Sequence, residues 1–234
     1  MFQFQQFTVH QDKCAMKVGT DGVLLGAWAQ GGNHILDIGT GTGLIALMMA
    51  QRFHKAIITA IDIDEDACIQ ARENVEASIF KEQIHVANSS LQDFSQQWLS
   101  EGKPLFDCIV SNPPFFVNSL KNPDGKKTLA RHADTLPYSD LFHHVSKLLT
   151  DDGVFSAIIP SEQVKFFTAK AYLYALQTIH LCHVKTTSTK PPKRCLIAFS
   201  KNTHHLYEEY TVNLLAPNGE RSDWYQEITQ GFYL

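Results

Sequence analysis

The sequence predicts an α/β fold, a mostly parallel seven-stranded sheet with helices on both faces. From residue 35 onward, short β-branched runs alternate with longer segments of helical period. Seven such runs stand at 34–38, 56–62, 84–87, 106–110, 153–159, 178–186 and 194–200. The last two are joined only by residues 187–193, a hairpin-like excursion that makes the last strand antiparallel.

The elements follow in order. The first strand ends at Gly39, and a helix over 43–52 carries Leu44, Ile45, Leu47, Met48 and Met49. The second strand ends at Asp62 and leads into a helix over 65–77. After the fourth strand, Leu141, Phe142, Val145, Leu148 and Leu149 form an amphipathic stripe. A further helix is expected over 161–177, with Ser161 as its N-cap after Pro160.

Composition bounds the function. The chain has 234 residues, 44% hydrophobic and 19% charged, with a net charge of -4, which excludes long disorder and a uniformly basic nucleic-acid binder. No apolar run approaches the roughly 18 residues of a membrane span, and no secretory signal opens the sequence. Cys14, Cys68, Cys108, Cys182 and Cys195 are odd in number and never spaced as CxxC, the pattern of reduced thiols in a cytoplasmic protein. His143-His144 and His204-His205 are adjacent pairs that point to different sides of an element, so no metal site is expected. Without linkers or repeats, residues 1–234 read as one domain: an extension over 1–33, a core over 34–201 and a tail over 202–234.

Asp37-Ile38-Gly39-Thr40-Gly41-Thr42-Gly43 places three alternate glycines where a buried strand turns into a helix. Glycine permits positive φ there and lets a ligand lie against the main chain, with helix N–H groups pointing at it. Nineteen residues after Gly43, the Asp62 carboxylate can accept both hydroxyls of a ribose. The dinucleotide pattern GxGxxG/A would place its third small residue at Leu44. Asp37 would repel a pyrophosphate and suits the ammonium of an amino acid, so S-adenosylmethionine is favoured over NAD.

Asn112-Pro113-Pro114-Phe115, followed by Phe116, stands at the exit of the fourth strand, where ligands of open α/β sheets bind. A turn explains the prolines but not the asparagine and two aromatics. With the glycine turn and Asp62, this motif makes the chain resemble the class I methyltransferases that modify planar nitrogens. Within them it resembles the bacterial tRNA1(Val) adenine N6-methyltransferase family, over nearly its whole length. Residues 17–25 and the Ala130-Arg131-His132 triplet carry that closer likeness.

The resemblance implies the class I Rossmann-like methyltransferase fold, S-adenosylmethionine as cofactor, and adenine 37 in the anticodon loop of a valine tRNA as target. It implies a catalytic set of Asn112, Pro113, Pro114 and Phe115. For the cofactor it implies Lys17, Thr20, Asp21, Asp37, Gly39, Gly41, Gly43, Asp62, Ile63, Ser90 and Asn112, with residues 1–33 covering the site. Ser90 stands where the family usually has an acidic residue near the adenine. The basic segments around Lys126 and Lys190 imply an RNA surface of Phe116, Lys126, Lys127, Arg131, His132, Lys190, Lys193 and Arg194. A monomer or weak homodimer acting without metal or membrane completes the expectation. The alternatives are a methyltransferase of the same fold acting on rRNA or on a protein glutamine, an NAD-dependent oxidoreductase, or a cofactor-binding regulator without chemistry.

Overall fold

The computed structural model describes residues 1–14, 17–114 and 136–234. A two-residue hairpin, β1 (Phe2–Gln3) and β2 (Thr8–Val9), precedes helix α1 (Thr20–Trp28). Alternation then sets in with β3 (His34–Ile38), α2 (Leu44–Arg52), β4 (Ile57–Asp62), α3 (Glu65–Glu76), β5 (Ile84–Asn88), α4 (Leu91–Ser100) and β6 (Phe106–Ser111). The second half comprises α5 (Tyr138–Leu148), β7 (Leu149–Pro160), α6 (Val164–Tyr172), β8 (Gln177–Lys185), β9 (Arg194–Ser200), β10 (Glu208–Asn213) and α7 (Asp223–Thr229).

The main sheet runs β10-β8-β9-β7-β6-β3-β4-β5. All neighbours are parallel except β9, which is antiparallel to both β7 and β8. The run at 194–200, expected to be the antiparallel strand, is β9 and is antiparallel as expected; the expected count of seven is corrected to eight. An eighth strand, β10, adds to the edge in parallel with β8, so the antiparallel strand is the seventh of eight. Its sequence 208–213 is almost wholly exposed, which leaves no apolar alternation to announce it.

The sheet is buried on both faces. One core holds α1 and α2 against Ile35, Ile58 and Ala60, together with Phe4, Phe7 and Val9 of the hairpin segment. The other holds Phe94 of α4, Phe142 of α5 and Phe167 of α6 against Leu36, Ile109 and Phe155. Strand order reverses between β3 and β6, and the crevice at their carboxyl ends is where such sheets bind ligands.

Local chemistry explains the helix boundaries. Asp64 caps α3 by accepting from the N–H groups of Asp66 and Ala67. The helix expected over 161–177 is shorter and differently capped: Ser161–Gln163 is a 3-10 turn, and Gln163 holds the N-cap place of α6 without a side-chain bond. At its other end Leu176 N–H donates to the Ala171 carbonyl and Ala175 N–H to that of Tyr172. Ala175 has φ 57°, so this is a left-handed helix stop made without the usual glycine.

Asn74, fully buried on α3, ties three segments together. Its Oδ1 accepts from His10 N–H at 2.8 Å, while its Nδ2 donates to the carbonyls of His10 at 2.8 Å and Thr42 at 2.9 Å. The N-terminal segment and the glycine turn are thereby held by one amide. Asn74→Ala is expected to lower stability by about 2–4 kcal/mol, because it leaves buried partners unsatisfied. Asn74→Asp should fail to restore it, since a carboxylate cannot donate to two carbonyls; urea unfolding of both variants measures this.

Candidate active site

The carboxyl ends of β3, β4, β5 and β6 meet around a cavity of about 490 Å³. Its floor is built by backbone bonds. Gly39 and Thr40 N–H both donate to the Ile61 carbonyl, at 2.9 and 3.0 Å, so the turn after β3 lies against the end of β4. Gly41 N–H donates to Asp62 Oδ2 at 2.8 Å, and Asp64 N–H to Asp62 Oδ1 at 3.0 Å. The N–H groups of Gly39, Thr40 and Gly41 therefore point at the neighbouring strand end. Gly43 N–H likewise bonds to the Thr40 carbonyl, closing the turn on itself.

The glycines do two different jobs. Gly39 has φ 73°, and a Cβ there would meet nothing within 4 Å, so its place is set by backbone conformation beside open space. Gly43 has φ 81°, and a Cβ would come within 3.4 Å of that of Ala71, so it also lets α2 start close against α3.

On the opposite wall, Ser111 Oγ donates to the Ile38 carbonyl at 2.9 Å, fastening the exit of β6 to that of β3. Asn112, Pro113 and Pro114 follow directly and line the cavity. Six residues expected at the cofactor, Gly39, Gly41, Asp62, Ile63, Ser90 and Asn112, line the same cavity. Ile63 is two-thirds exposed there.

Five others do not line it. Thr20 opens α1, and Gly43 caps α2. Lys17 Nζ donates to the carbonyls of Gln11 and Cys14. Asp21 pairs with Arg194, which donates from Nε at 2.8 Å, so a residue expected at the cofactor and one expected at RNA hold each other. Asp37 is completely buried, with Oδ2 accepting from Thr40 Oγ1 at 2.7 Å. Lys190 and Lys193 are exposed in the β8–β9 connection. Phe115, Phe116, Lys126, Lys127, Arg131 and His132 lie outside the described residues.

Ser90 lines the cavity and also caps a helix. Its Oγ accepts from Asp93 N–H at 3.1 Å, which makes it the N-cap of α4, and donates to Asp93 Oδ2 at 2.7 Å. The spacing Ser90-x-x-Asp93 is the sequence signal for both that cap and the helix. Sequence reasoning missed Gln92 and Asp140 on the cavity wall, where Gln92 Nε2 donates to Asp140 Oδ2 at 3.2 Å. Among the described residues no cluster of three or more His, Cys, Asp or Glu is placed to hold a metal ion. No described helix is long and apolar enough to cross a membrane.

Known proteins match this arrangement. The methyltransferase small domain family matches residues 18–159. A protein of Bacteroides thetaiotaomicron named tRNA1(Val) (adenine(37)-N6)-methyltransferase is 47% identical, covering 100% of this chain and 97% of its own. A namesake from Flavobacterium johnsoniae is 42% identical over 100% of this chain and 99% of its own. The chain belongs to the tRNA1(Val) (adenine(37)-N6)-methyltransferase family. Among solved structures, a predicted O-methyltransferase of Agrobacterium tumefaciens superposes with TM-score 0.71 at 16% identity, over 91% of this chain and 96% of that one. The class I methyltransferase fold of the family is thus shared well beyond detectable sequence likeness.

Burial pushes the Asp37 carboxyl from its ordinary 3.8 up to about 7; the nearby Asp62 charge adds to this, and the Thr40 hydroxyl opposes it. As pH rises from about 4, the unfolded chain loses this proton first, so the associated stability, full below about 4, is lost as pH climbs through about 7. Asp37→Asn should therefore gain on the wild type by a few kcal/mol, on the order of 1.4 per pKa unit, between those limits. Parallel urea midpoints for the two proteins across that range would contradict the assignment.

Proposed function

We propose that the chain transfers the methyl group of S-adenosylmethionine to N6 of adenine 37 in the anticodon loop of tRNA1(Val). The observation that carries this is one cavity shared by Asn112-Pro113-Pro114, Asp62 and the glycine turn. The names of full-length relatives at 42–47% identity supply the substrate.

The residues present suit the cofactor. A cavity of about 490 Å³ is of the size that takes small ligands. Each Asp62 oxygen accepts a single backbone N–H, which leaves lone pairs for a ribose diol. Open space beside Gly39 lets a ligand rest on the main chain. When bound, the cofactor supplies an electrophilic methyl on a sulfonium, already a good leaving group.

The chain's own part is alignment. An exocyclic adenine amine is a poor nucleophile because its lone pair is delocalised into the ring. The Asn112 side-chain oxygen and the Pro113 carbonyl accept its two N–H bonds, which lets the nitrogen pyramidalise and direct its lone pair. Pro114 stiffens the turn and fixes the Pro113 carbonyl, while Phe115 stacks on the base. Positioning of this kind contributes about 7–11 kcal/mol in well-oriented intramolecular reactions, and one preorganised polar contact about 3 kcal/mol. The proton leaves to water after transfer.

Residues 1–33 cover the cofactor side of this single domain, and Cys14 already stands on the cavity wall. Lys190 and Lys193 meet phosphates, together with Lys126, Lys127, Arg131, His132 and Phe116 from the segment after the catalytic turn. Arg194 serves that surface chiefly through its pair with Asp21. The enzyme works in the cytoplasm as a monomer or weak homodimer.

Incubation with labelled S-adenosylmethionine and undermodified total RNA, followed by nucleoside mass analysis, should yield N6-methyladenosine in a valine tRNA. Methylated guanine or methylated protein would overturn the reading. Asn112→Ala should abolish most transfer, by about a hundredfold or more, and leave cofactor affinity near normal. Asp62→Ala should do the reverse and weaken cofactor binding first. Calorimetry on the folded variants separates the two roles.

A further inference from the structure

Helix α6 presents an exposed face that neither core absorbs. Phe166 is 56% exposed, an unusual place for a phenylalanine on a chain whose other large aromatics mostly pack inward. Lys170, one turn on, holds its ammonium 5.5 Å from the centre of the Phe166 ring, and Lys165 is exposed beside it. The helix from Val164 to Tyr172 contains no acid.

The face adjoins the active site through a chain of contacts. The Phe166 ring lies 6.0 Å from that of Tyr138, whose hydroxyl donates to Gln163 Oε1 in the turn before α6. Tyr138 directly follows Pro137, which lines the cavity beside Pro114. The same turn is fastened to the basic β8–β9 connection: Ser161 N–H donates to the Lys193 carbonyl at 3.2 Å. Phe166 is thus linked through Tyr138 to the segment that lines the cavity, and its helix through the preceding turn to Lys193.

We propose that Phe166, flanked by Lys165 and Lys170, is a stacking platform for an unpaired nucleotide next to the target adenine, with the two lysines on its phosphates. The inference rests on RNA being the substrate. An exposed π-face with cations on either side and no acid on the helix is complementary to single-stranded RNA, whose bases stack on aromatics and whose backbone is anionic. The platform supplies affinity without reading sequence and leaves base selection to the cavity.

The test uses the full chain and undermodified valine tRNA. Phe166→Ala should raise the KM for RNA about tenfold while kcat at saturating RNA and cofactor affinity change less than twofold. Phe166→Trp and Phe166→Tyr should restore the KM, whereas Phe166→Leu, equally apolar but without a π-face, should not. Replacing Lys165 and Lys170 together by Ala should lower the slope of log affinity against log salt by about 1–2. If the wild type methylates tRNA and Phe166→Ala or Phe166→Leu keeps its KM, the platform is wrong and the function stands; the face then serves a protein partner or a second copy. If the wild type methylates protein and no RNA, the functional reading itself fails.

Discussion

Three successive backbone N–H groups, those of Gly39, Thr40 and Gly41, donate to the end of β4, and the rest of the site is arranged around that fact. Two reach the Ile61 carbonyl and the third reaches the Asp62 carboxylate. The turn is therefore pinned sideways against its neighbouring strand, and what it offers to the cavity is a bare main-chain surface at Gly39. A pyrophosphate needs a cradle of outward N–H donors. A turn whose donors are already engaged suits a ligand that brings few negative charges, such as a nucleoside joined to an amino acid. The choice between cofactor classes is thus made by hydrogen-bond accounting as much as by glycine spacing.

That turn has little strength of its own and is secured from outside. Asn74 holds the Thr42 carbonyl from α3, and the same amide holds His10, so one side chain ties the N-terminal segment to the turn. Ser111 holds the Ile38 carbonyl from β6, which sets the height of Asn112 relative to the glycines. Even the C-terminal residues contribute at a distance: Gln51 of α2 donates to the Gly231 carbonyl, and Trp28 of α1 to the Tyr210 hydroxyl at 2.8 Å. The tail, which looks peripheral in sequence, thus braces α1, which precedes β3, and α2, which follows it.

Much of this was legible in the sequence, for identifiable reasons. Strands buried on both faces leave mostly apolar runs, so β3, β4, β6 and β9 could be read with little error. Asp62, the glycines and Asn112 were legible by their combination and spacing at the exits of three strands, since each residue type alone is common in turns. What escaped was set by tertiary context. Helix α1 is mostly apolar with little periodicity, and β10 is mostly polar with almost none, so neither carries the pattern that marks an element. The end of α6 is a left-handed stop at an alanine, where a glycine would have been the warning. Asn74 looks like any polar residue on a helix until the fold brings His10 and Thr42 to it. Asp21 and Arg194 are separated by 173 positions, and no local reading pairs them.

The Asp21–Arg194 pair also bears on how an acidic chain meets an anionic partner. With a net charge of -4, long-range attraction cannot come from the molecule as a whole. One of the cations expected at the rim is neutralised internally, which removes an arginine from the count of free charges there. Attraction of an anion by such a chain has to be local, of the kind the exposed Lys190 and Lys193 would supply, and of a strength that falls as salt screens it. Stacking of bases on aromatic rings is far less sensitive to salt, and every base has a π-face. A rim that combines sparse lysines with exposed aromatic surface can hold a single-stranded loop without a strongly basic face. This reconciles the composition, which argues against a general nucleic-acid binder, with a site shaped for one flat amine.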